Sequence, residues 1–271
     1  IFQSIILMKG HQKFPLISVI TVVFNAEKFI EATVQSVINQ TYENIEFIIV
    51  DGGSSDSTLS ILGRYKKYIR KLVSEPDDGI YNAMNKGINM ASGDWIVFMN
   101  AGDQFSSCDV ISSIFNFCRG PEKIIYGDVI VNYGDFSFLK RAGDLARLWT
   151  GMKFSHQSAF IEVSYHKYNK YDESFRIAAD FNFFLNSYKN QVQFKYVNIP
   201  ISTVIIGGVS ERNQLQTIKD SRAVVHSVLH NKFYDYVYVF KLIDTKFRNF
   251  IKAIFPKALT HLIIKVKSNF D

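Results

Sequence analysis

Two aspartates sit where a chain can offer a carboxylate to a ligand. Asp51 ends the apolar run "IEFIIVD" and leads into "GGSSDST", and Asp103 ends "WIVFMNAGD". A carboxylate in such a place accepts hydrogen bonds from a base or ribose, or holds a hard divalent cation against a diphosphate. An aspartate at a strand end also serves as a turn or helix-cap residue, and the pattern alone leaves both readings open. Other nucleotide chemistries lack their residues. The segment "VVFNAEKF" has no glycine, so the GxGxxG fingerprint is missing, and GxxxxGK[ST], HExxH and paired CxxC are absent too.

The carboxylates act together only if strands carry them to one edge. "LISVITVVF" (16–24) is a β-branched run of buried-strand type, "IEFIIVD" (45–51) a second, "KLVSE" a third and "DWIVFMN" (94–100) a fourth. Between them, "EKFIEATVQSVINQ" sets Ile30, Val34, Val37 and Ile38 at helical spacing. "DSTLSILGRYKKYI" opens on cap residues, and "GIYNAMNKGINMA" reads as a helix containing Gly87. This alternation implies an α/β doubly wound sheet, with ligands bound outside the carboxyl ends of the strands. It places Asp51 and Asp103 at adjacent strand ends. From 123 the texture changes, with a hairpin around Tyr133 and Gly134, a strand in "HQSAFIEV", a helix in "AADFNFFLNSYKN" and β structure in "QFKYVNIPISTVII". "IIGGVS" at 205–210 is the best boundary, and the pattern beyond it is helical and basic.

The 271 residues fit one large domain with an appendage, and a 47% hydrophobic fraction supplies a sizeable core. Net charge is +6, and residues 212–271 hold eleven Lys and Arg against four Asp, so the basic character belongs to the tail. Cys108 and Cys118 lie ten apart in a segment of helical spacing. Ten residues of helix span about 15 Å, beyond disulfide reach. Both therefore read as reduced core residues in a reducing, cytoplasmic compartment. "IFQSIILMKG" lacks the flank and cleavage pattern of a signal peptide, and Met8 offers a start that would make the first seven residues foreign. No apolar run approaches the roughly 18 residues that span a bilayer. The expected division is 1–14 as an N-terminal extension, 15–211 as the main domain with halves 15–105 and 106–211, and 212–271 as a basic helical extension.

Taken in order, "PLISVITVVFNAEKF", "IEFIIVDGGSSDST" and "SEPDDGIYNAMNKGINMASGDWIVFMNAGDQF" resemble the family 2 glycosyltransferases of bacterial polysaccharide biosynthesis. These are inverting enzymes with the GT-A fold, a Rossmann-like, mostly parallel central sheet flanked by helices. The resemblance spans roughly 15–210 and is sharpest over 15–105. It implies that Asp51 receives the uracil of a UDP-sugar, while Val22 and Phe24 line the nucleotide through backbone and ring and Asn25 and Glu27 complete the first loop. Asp77, Asp78 and Gly79 lie near the sugar diphosphate, and Asn85 with Lys86 opens a polar helix face. Asn100, Ala101, Gly102 and Asp103 take the place of the family's metal-binding acidic motif. Many members read Asp-Ala-Asp-Asp there, so Asn100 and Gly102 are departures that leave Asp103 as the only carboxylate for Mn2+ or Mg2+.

In the second half, His156 and Gln157 stand where related enzymes have a polar pair near the acceptor or leaving phosphate. A lone His156 reads equally as a buried structural imidazole. "AADFNFF" resembles the segment holding the catalytic base, with Asp180 at the base position and Ala179 replacing the preceding acid. Asp180 also reads as an N-cap. Arg147 and Arg176 are looser candidates, either of them a surface charge. The implied reaction moves a hexosyl or N-acetylhexosaminyl group from a UDP-sugar to a hydroxyl of a glycan or polyprenyl-linked acceptor. The cation acts as Lewis acid, and Lys86 or His156 adds charge at the diphosphate. The alternative is a catalytically inactive sugar-nucleotide-binding module, motivated by Asn100 and Gly102. A nucleotidyltransferase would want a glycine-and-basic loop that "FNAEKF" does not supply. The basic, aromatic tail suits either the inner face of the cell membrane or a twin subunit, and no nucleic acid is expected as partner.

Overall fold

The computed structural model describes residues 14–115, 120–208, 213–231 and 233–254. Strand β1 (Ile17–Val23) is buried along its whole length, as a β-branched run covered on both faces must be. It pairs in parallel with β2 (Ile45–Asp51) on one side and β4 (Trp95–Phe98) on the other, and β3 (Lys71–Ser74) extends the sheet beyond β2. The chain thus moves outward from β1 to β3, then returns through α3 (Ile80–Met90) to the opposite flank. That reversal opens a crevice at the carboxyl ends of β1 and β4. Asp51 and Asp103 flank it, but β1 stands between their strands, so the two strands are not neighbours.

The rest of the sheet is mixed, as its hairpins require. Strands β5 (Gln104–Phe105), β6 (Ile124–Asn132), β7 (Ser137–Lys140), β8 (Ala159–Glu162) and β9 (Phe194–Ile205) continue it in the order β4-β8-β6-β9-β5. Strand β8 joins β4 and β6 antiparallel, β7 pairs with β6 across the turn at Tyr133 and Gly134, and β6 runs parallel to β9. Helices α1 (Ile30–Ile38), α2 (Thr58–Arg64) and α4 (Val110–Phe115) cover one face of the sheet. On the other face lie α3 and α6 (Ala179–Lys189), with the short α5 (Val163–Tyr168) beside them. Gly87 lets α3 lie close on this face, because a Cβ there would meet Ile20 Cγ2 at 2.6 Å.

The basic extension shares this core. Val224, Val225 and Val228 of α7 (Gln214–Leu229) and Tyr238 of α8 (Phe233–Ile254) are buried in the same cluster as Ile20 and Phe184. Tyr238 donates to the Trp149 carbonyl at 3.0 Å, and Lys241 donates to the Thr150 carbonyl. The far side of α8 exposes Tyr236, Phe240, Ile243 and Phe247. No described helix is long and apolar enough to cross a membrane. The stretch beyond Ile254, Pro256 included, and Cys118 lie outside the described residues. Cys108 is exposed, not buried, because α4 begins only at Val110, after a turn closed by Ser107 on Asp109.

His166 of α5 is buried among Phe98, Tyr171 and Phe183, and burial pushes its imidazole down to about 4. The folded ring stays neutral while the unfolded one binds a proton below about 6.5. Its contribution is therefore intact above pH 6.5 and is lost as pH falls toward 4, a change of about 3 kcal/mol. His166→Phe should flatten the fall in urea-unfolding free energy between pH 7 and pH 4.5. Identical pH slopes in the two proteins would assign that fall to other groups.

Candidate active site

The loops after β1 and β2 are laced together, which accounts for the run of small polar residues at 54–58. Asn25, held at φ 46°, donates from its backbone to Ser54 Oγ at 2.8 Å and accepts from the Ser55 amide at 2.9 Å. Glu27 accepts from the Ser57 amide at 3.0 Å, and its own amide donates to Asp56 at 3.1 Å. The Ala26 amide donates to Thr58 Oγ1 at 2.9 Å. Asn25 and Glu27, expected at the nucleotide, thus spend these polar atoms on the neighbouring loop. The Val22 carbonyl accepts from the Ala101 amide at 3.3 Å, tying the first loop to the third.

Asp51 is fully buried and its carboxylate is occupied. Oδ2 accepts from the Gly53 amide, the Ser54 amide and Ser74 Oγ at 3.1, 2.9 and 2.6 Å, and Oδ1 accepts from Ser54 Oγ at 2.5 Å. A second carboxylate, Asp77, lies against the same turn. Gly52 has no side chain, and a Cβ there would lie 2.5 Å from Asp77 Oδ2 and 3.4 Å from Phe24 Cδ2. The Phe24 ring is 62% exposed beside it, just past the end of the buried strand β1. Asp77 Oδ1 accepts from the Gly79 amide at 2.9 Å, and Gly79, at φ 122°, precedes the first turn of α3. Asp78 is exposed. Lys86 pairs with Glu75 at 2.8 Å and donates to the Pro76 carbonyl at 3.2 Å, so it holds this loop in place. Asn85 lies midway along α3 and does not open a polar face. It is buried, clasping the backbone of Tyr171 and the Glu173 carboxylate.

The turn 100–103 closes through the Asp103 amide on the Asn100 carbonyl at 2.8 Å. Gly102 adopts φ 104°, a conformation that disfavours any side chain, and its amide donates to Thr33 Oγ1 at 2.9 Å. Asp103 is 8% exposed, with Oδ2 accepting from Gln157 Nε2 at 2.9 Å. Burial pushes its carboxyl up to about 6, against the Gln157 hydrogen bond and the nearby His156. No group of three or more His, Cys, Asp or Glu gathers among the described residues. A single hard carboxylate fits a Mg2+ or Mn2+ ion that takes its other ligands from a diphosphate and water.

Across the crevice, Asp180 lies in the first turn of α6, whose cap residue is Ala178, so it is not the N-cap. Its Oδ2 faces His156 Nδ1 at 3.2 Å, and its Oδ1 accepts from the Phe181 amide at 2.8 Å and shares the single Tyr81 O–H hydrogen, at 2.8 Å, with the Ile177 carbonyl at the same distance. Burial works to raise the Asp180 carboxyl, but the His156 hydrogen bond and charge, with Tyr81 and Phe181, hold it below the usual carboxylate range. His156 Nε2 faces Asn100 Nδ2 at 3.3 Å, which links the acidic turn to the Asp180 side. Arg147 and Arg176 are exposed, and among the described residues no side-chain contact joins either to this network. Tyr81 and Thr33 carry no motif in the sequence. Tyr81, an aromatic in the first turn of α3, is distinguishable from a core residue only once α6 is seen beside it.

Comparisons with known proteins bear on the family and the fold. A sequence model described as "Glycosyl transferase family 2" matches residues 18–185. A "PGL/p-HBAD biosynthesis glycosyltransferase" of Mycobacterium bovis is 29% identical over 204 residues, covering 72% of this chain and 79% of its own length. Among solved structures, S. aureus TarS 1–349 in complex with UDP-GlcNAc superposes with a TM-score of 0.64 at 14% identity, over 84% of this chain and 71% of that one. The same TarS fragment without that ligand is spanned to 64% of its length. The mannosyltransferase PcManGT from Pyrobaculum calidifontis, in complex with GDP-Man and Mn2+, gives a TM-score of 0.65 at 14% identity, over 96% and 81%. These structural likenesses concern the fold, which is the GT-A arrangement.

Proposed function

This chain belongs to glycosyl transferase family 2, and from that premise we propose that it is an inverting transferase using a nucleotide-diphosphate sugar, with UDP as the carrier. The observation that carries the reading is the convergence, at the crevice between β1 and β4, of an exposed ring beside a carboxylate, a buried metal-type aspartate and a histidine–aspartate pair. The base stacks on Phe24 over Gly52, with Asp77 accepting from it, and Asp51 holds the turn that keeps Gly52 in place. Asp103 would hold Mn2+ or Mg2+ at the diphosphate, where such a cation neutralises the charge that grows on the departing group. Gln157 orients Asp103. The acceptor hydroxyl, on a glycan or lipid-linked sugar of surface polysaccharide, loses its proton to the His156–Asp180 side of the crevice.

A carboxylate can only accept, so an Asp77 that meets the ring nitrogen of the base's pairing edge accepts from uracil N3–H or guanine N1–H, where cytosine N3 and adenine N1 offer only a lone pair. Calorimetry with UDP, GDP, CDP and ADP in Mn2+ tests this. Wild type should bind UDP at least 10-fold more tightly than CDP, and Asp77→Ala should lose that preference, in line with about 1.5–3 kcal/mol for a hydrogen bond to a charged group. Equal binding of all four nucleotides, or of none, would sink the reading. The second reading, an inactive binding module, is motivated by Asn100 and Gly102, and turnover separates it from the first.

The outer face of α8, with Tyr236, Phe240, Ile243 and Phe247 exposed on an extension rich in Lys and Arg, suits an anionic lipid surface. Vesicles containing phosphatidylserine should float the full chain, and Phe240→Asp with Phe247→Asp should release it. Equal behaviour of both proteins would leave a twin subunit as the occupant of that face.

A further inference from the structure

We infer that Lys140, Arg147, Lys153 and Lys241 form a second anion site, outside the crevice, which takes the diphosphate of a lipid-linked acceptor. The inference rests on the transferase reading above and names the acceptor chemistry that reading leaves general. The cations come from three places: Lys140 ends β7, Arg147 and Lys153 belong to the loop around the 3-10 turn Leu145–Thr150, and Lys241 lies on α8. The Gly143 amide closes that loop on the Lys153 carbonyl at 2.6 Å. Thr150 is where the charges meet. Lys153 donates to Thr150 Oγ1 at 2.5 Å, Lys241 donates to the Thr150 carbonyl, and Thr150 Oγ1 donates to the Arg147 carbonyl at 2.9 Å.

Capping the last carbonyls of a short turn takes one cation, and Lys241 does that. A second ammonium on the same threonine has no such task, and like charges brought together cost free energy unless an anion joins them. Arg147 and Lys140 stand close enough to act on the Lys153 charge as well. Among the described residues none of the four makes an ion pair. The acid that acts on Lys153 is Asp144, whose Oδ1 is turned to the Ala146 amide at 2.9 Å. Asp244, one turn beyond Lys241, is taken by Arg248 at 2.8 Å. The Tyr238 ring, 4.7 Å from the Lys241 ammonium, offsets only part of the cost. Lys153 and Lys241 are both half-buried, and burial together with neighbouring cations holds them below the usual lysine range.

Phosphoryl oxygens supply what this cluster lacks, with lysines as point charges and Arg147 as a fork of N–H donors. The position of the cluster says which phosphate. From Lys153 the chain reaches His156 and Gln157 of the crevice in three residues, while Lys241 follows Phe240 of the exposed apolar side of α8. A prenyl chain on that side, its diphosphate on the cluster and its sugar hydroxyl in the crevice would follow one path. A sugar-linked diphosphate also carries more charge than a phospholipid headgroup, in keeping with four cations.

Calorimetry on the full chain tests this, with geranyl diphosphate as the probe and EDTA present, so that the crevice lacks the cation a diphosphate there would need. Wild type should bind the probe saturably and should not bind geraniol. Lys153→Gln with Lys241→Gln should weaken binding about 10-fold or more. Because Lys241 also holds the turn, Arg147→Gln, a change at an exposed residue, gives the second variant and should weaken binding about 3-fold or more with the melting temperature unchanged. No saturable binding by wild type, or wild-type affinity in Arg147→Gln, overturns the inference. Dihexanoyl phosphatidylglycerol bound as tightly as geranyl diphosphate would overturn the acceptor assignment and give the cluster to lipid headgroups. Binding is read here without turnover, so its absence leaves the donor reading standing, whereas failure to release UDP from any donor counts against that reading alone.

Discussion

Replacing Asp103 with asparagine should abolish cation-stimulated transfer, lowering kcat/KM by about 10²-fold or more, while the fold survives. The amide keeps an oxygen for Gln157 but removes the charge that would hold Mn2+ against a diphosphate. The same change relieves a buried charge. Because burial raises the Asp103 carboxyl to about 6, its ionised form destabilises the cation-free fold as pH rises from the ordinary carboxylate range through 6. Asp103→Asn should therefore melt at or above the wild-type temperature at pH 7.5. Calorimetry with UDP, in Mn2+ and in EDTA, separates the two effects. Full Mn2+-stimulated turnover in this variant would remove Asp103 from the cation's ligands.

Asp51→Ala should cost both stability and donor affinity. Its carboxylate accepts from three groups of its own turn and from Ser74, and truncation removes these bonds to a buried charge while the donors, themselves partly exposed, turn to water, a loss of about 1.5–3 kcal/mol. The turn it holds also keeps Gly52 open to Asp77 and Phe24, so UDP affinity should fall about 10-fold or more. Glu46 gives the control. It is equally buried, at the opposite end of β2, and accepts from Ser18 Oγ, from Ser92 through its amide and hydroxyl, and from the Gly93 amide. Glu46→Ala should destabilise to a similar degree yet leave UDP affinity, measured well below the melting temperature, unchanged. Parallel losses of affinity in both variants would mean that general loosening, not the turn, is responsible.

The alternation of strands and helices was readable because β1 and β2 are buried on both faces and their apolar runs end abruptly at turn residues. Strand β2 begins and ends where the run "IEFIIVD" does. The second half was less legible in its pairing: β8 and β6 look like any apolar run, and only tertiary context makes their partners antiparallel. Asp51 shows a similar limit within the site. A carboxylate before two glycines and three hydroxylated residues in four positions was visible, but which oxygen meets which donor depends on how the turn folds back. The small polar residues were themselves the clue, since Ser54, Ser55 and Ser57 all bond across loops. The pairing of His156 with Asp180 joins two separate elements and leaves no periodic trace, and Asn85 serves a buried clasp that its neighbours in α3 do not announce.

The most direct measurement of the central claim is nucleotide release by the full chain from a panel of UDP-sugars and GDP-mannose, with Mn2+, Mg2+ or EDTA, in the presence and absence of polyprenyl-linked sugar acceptors. The account predicts release of UDP from at least one UDP-sugar, dependent on the divalent cation, faster with an acceptor and lost in Asp103→Asn. Wild-type protein that binds UDP but releases none from any donor, with every acceptor tried, would contradict it and leave a sugar-nucleotide-binding module.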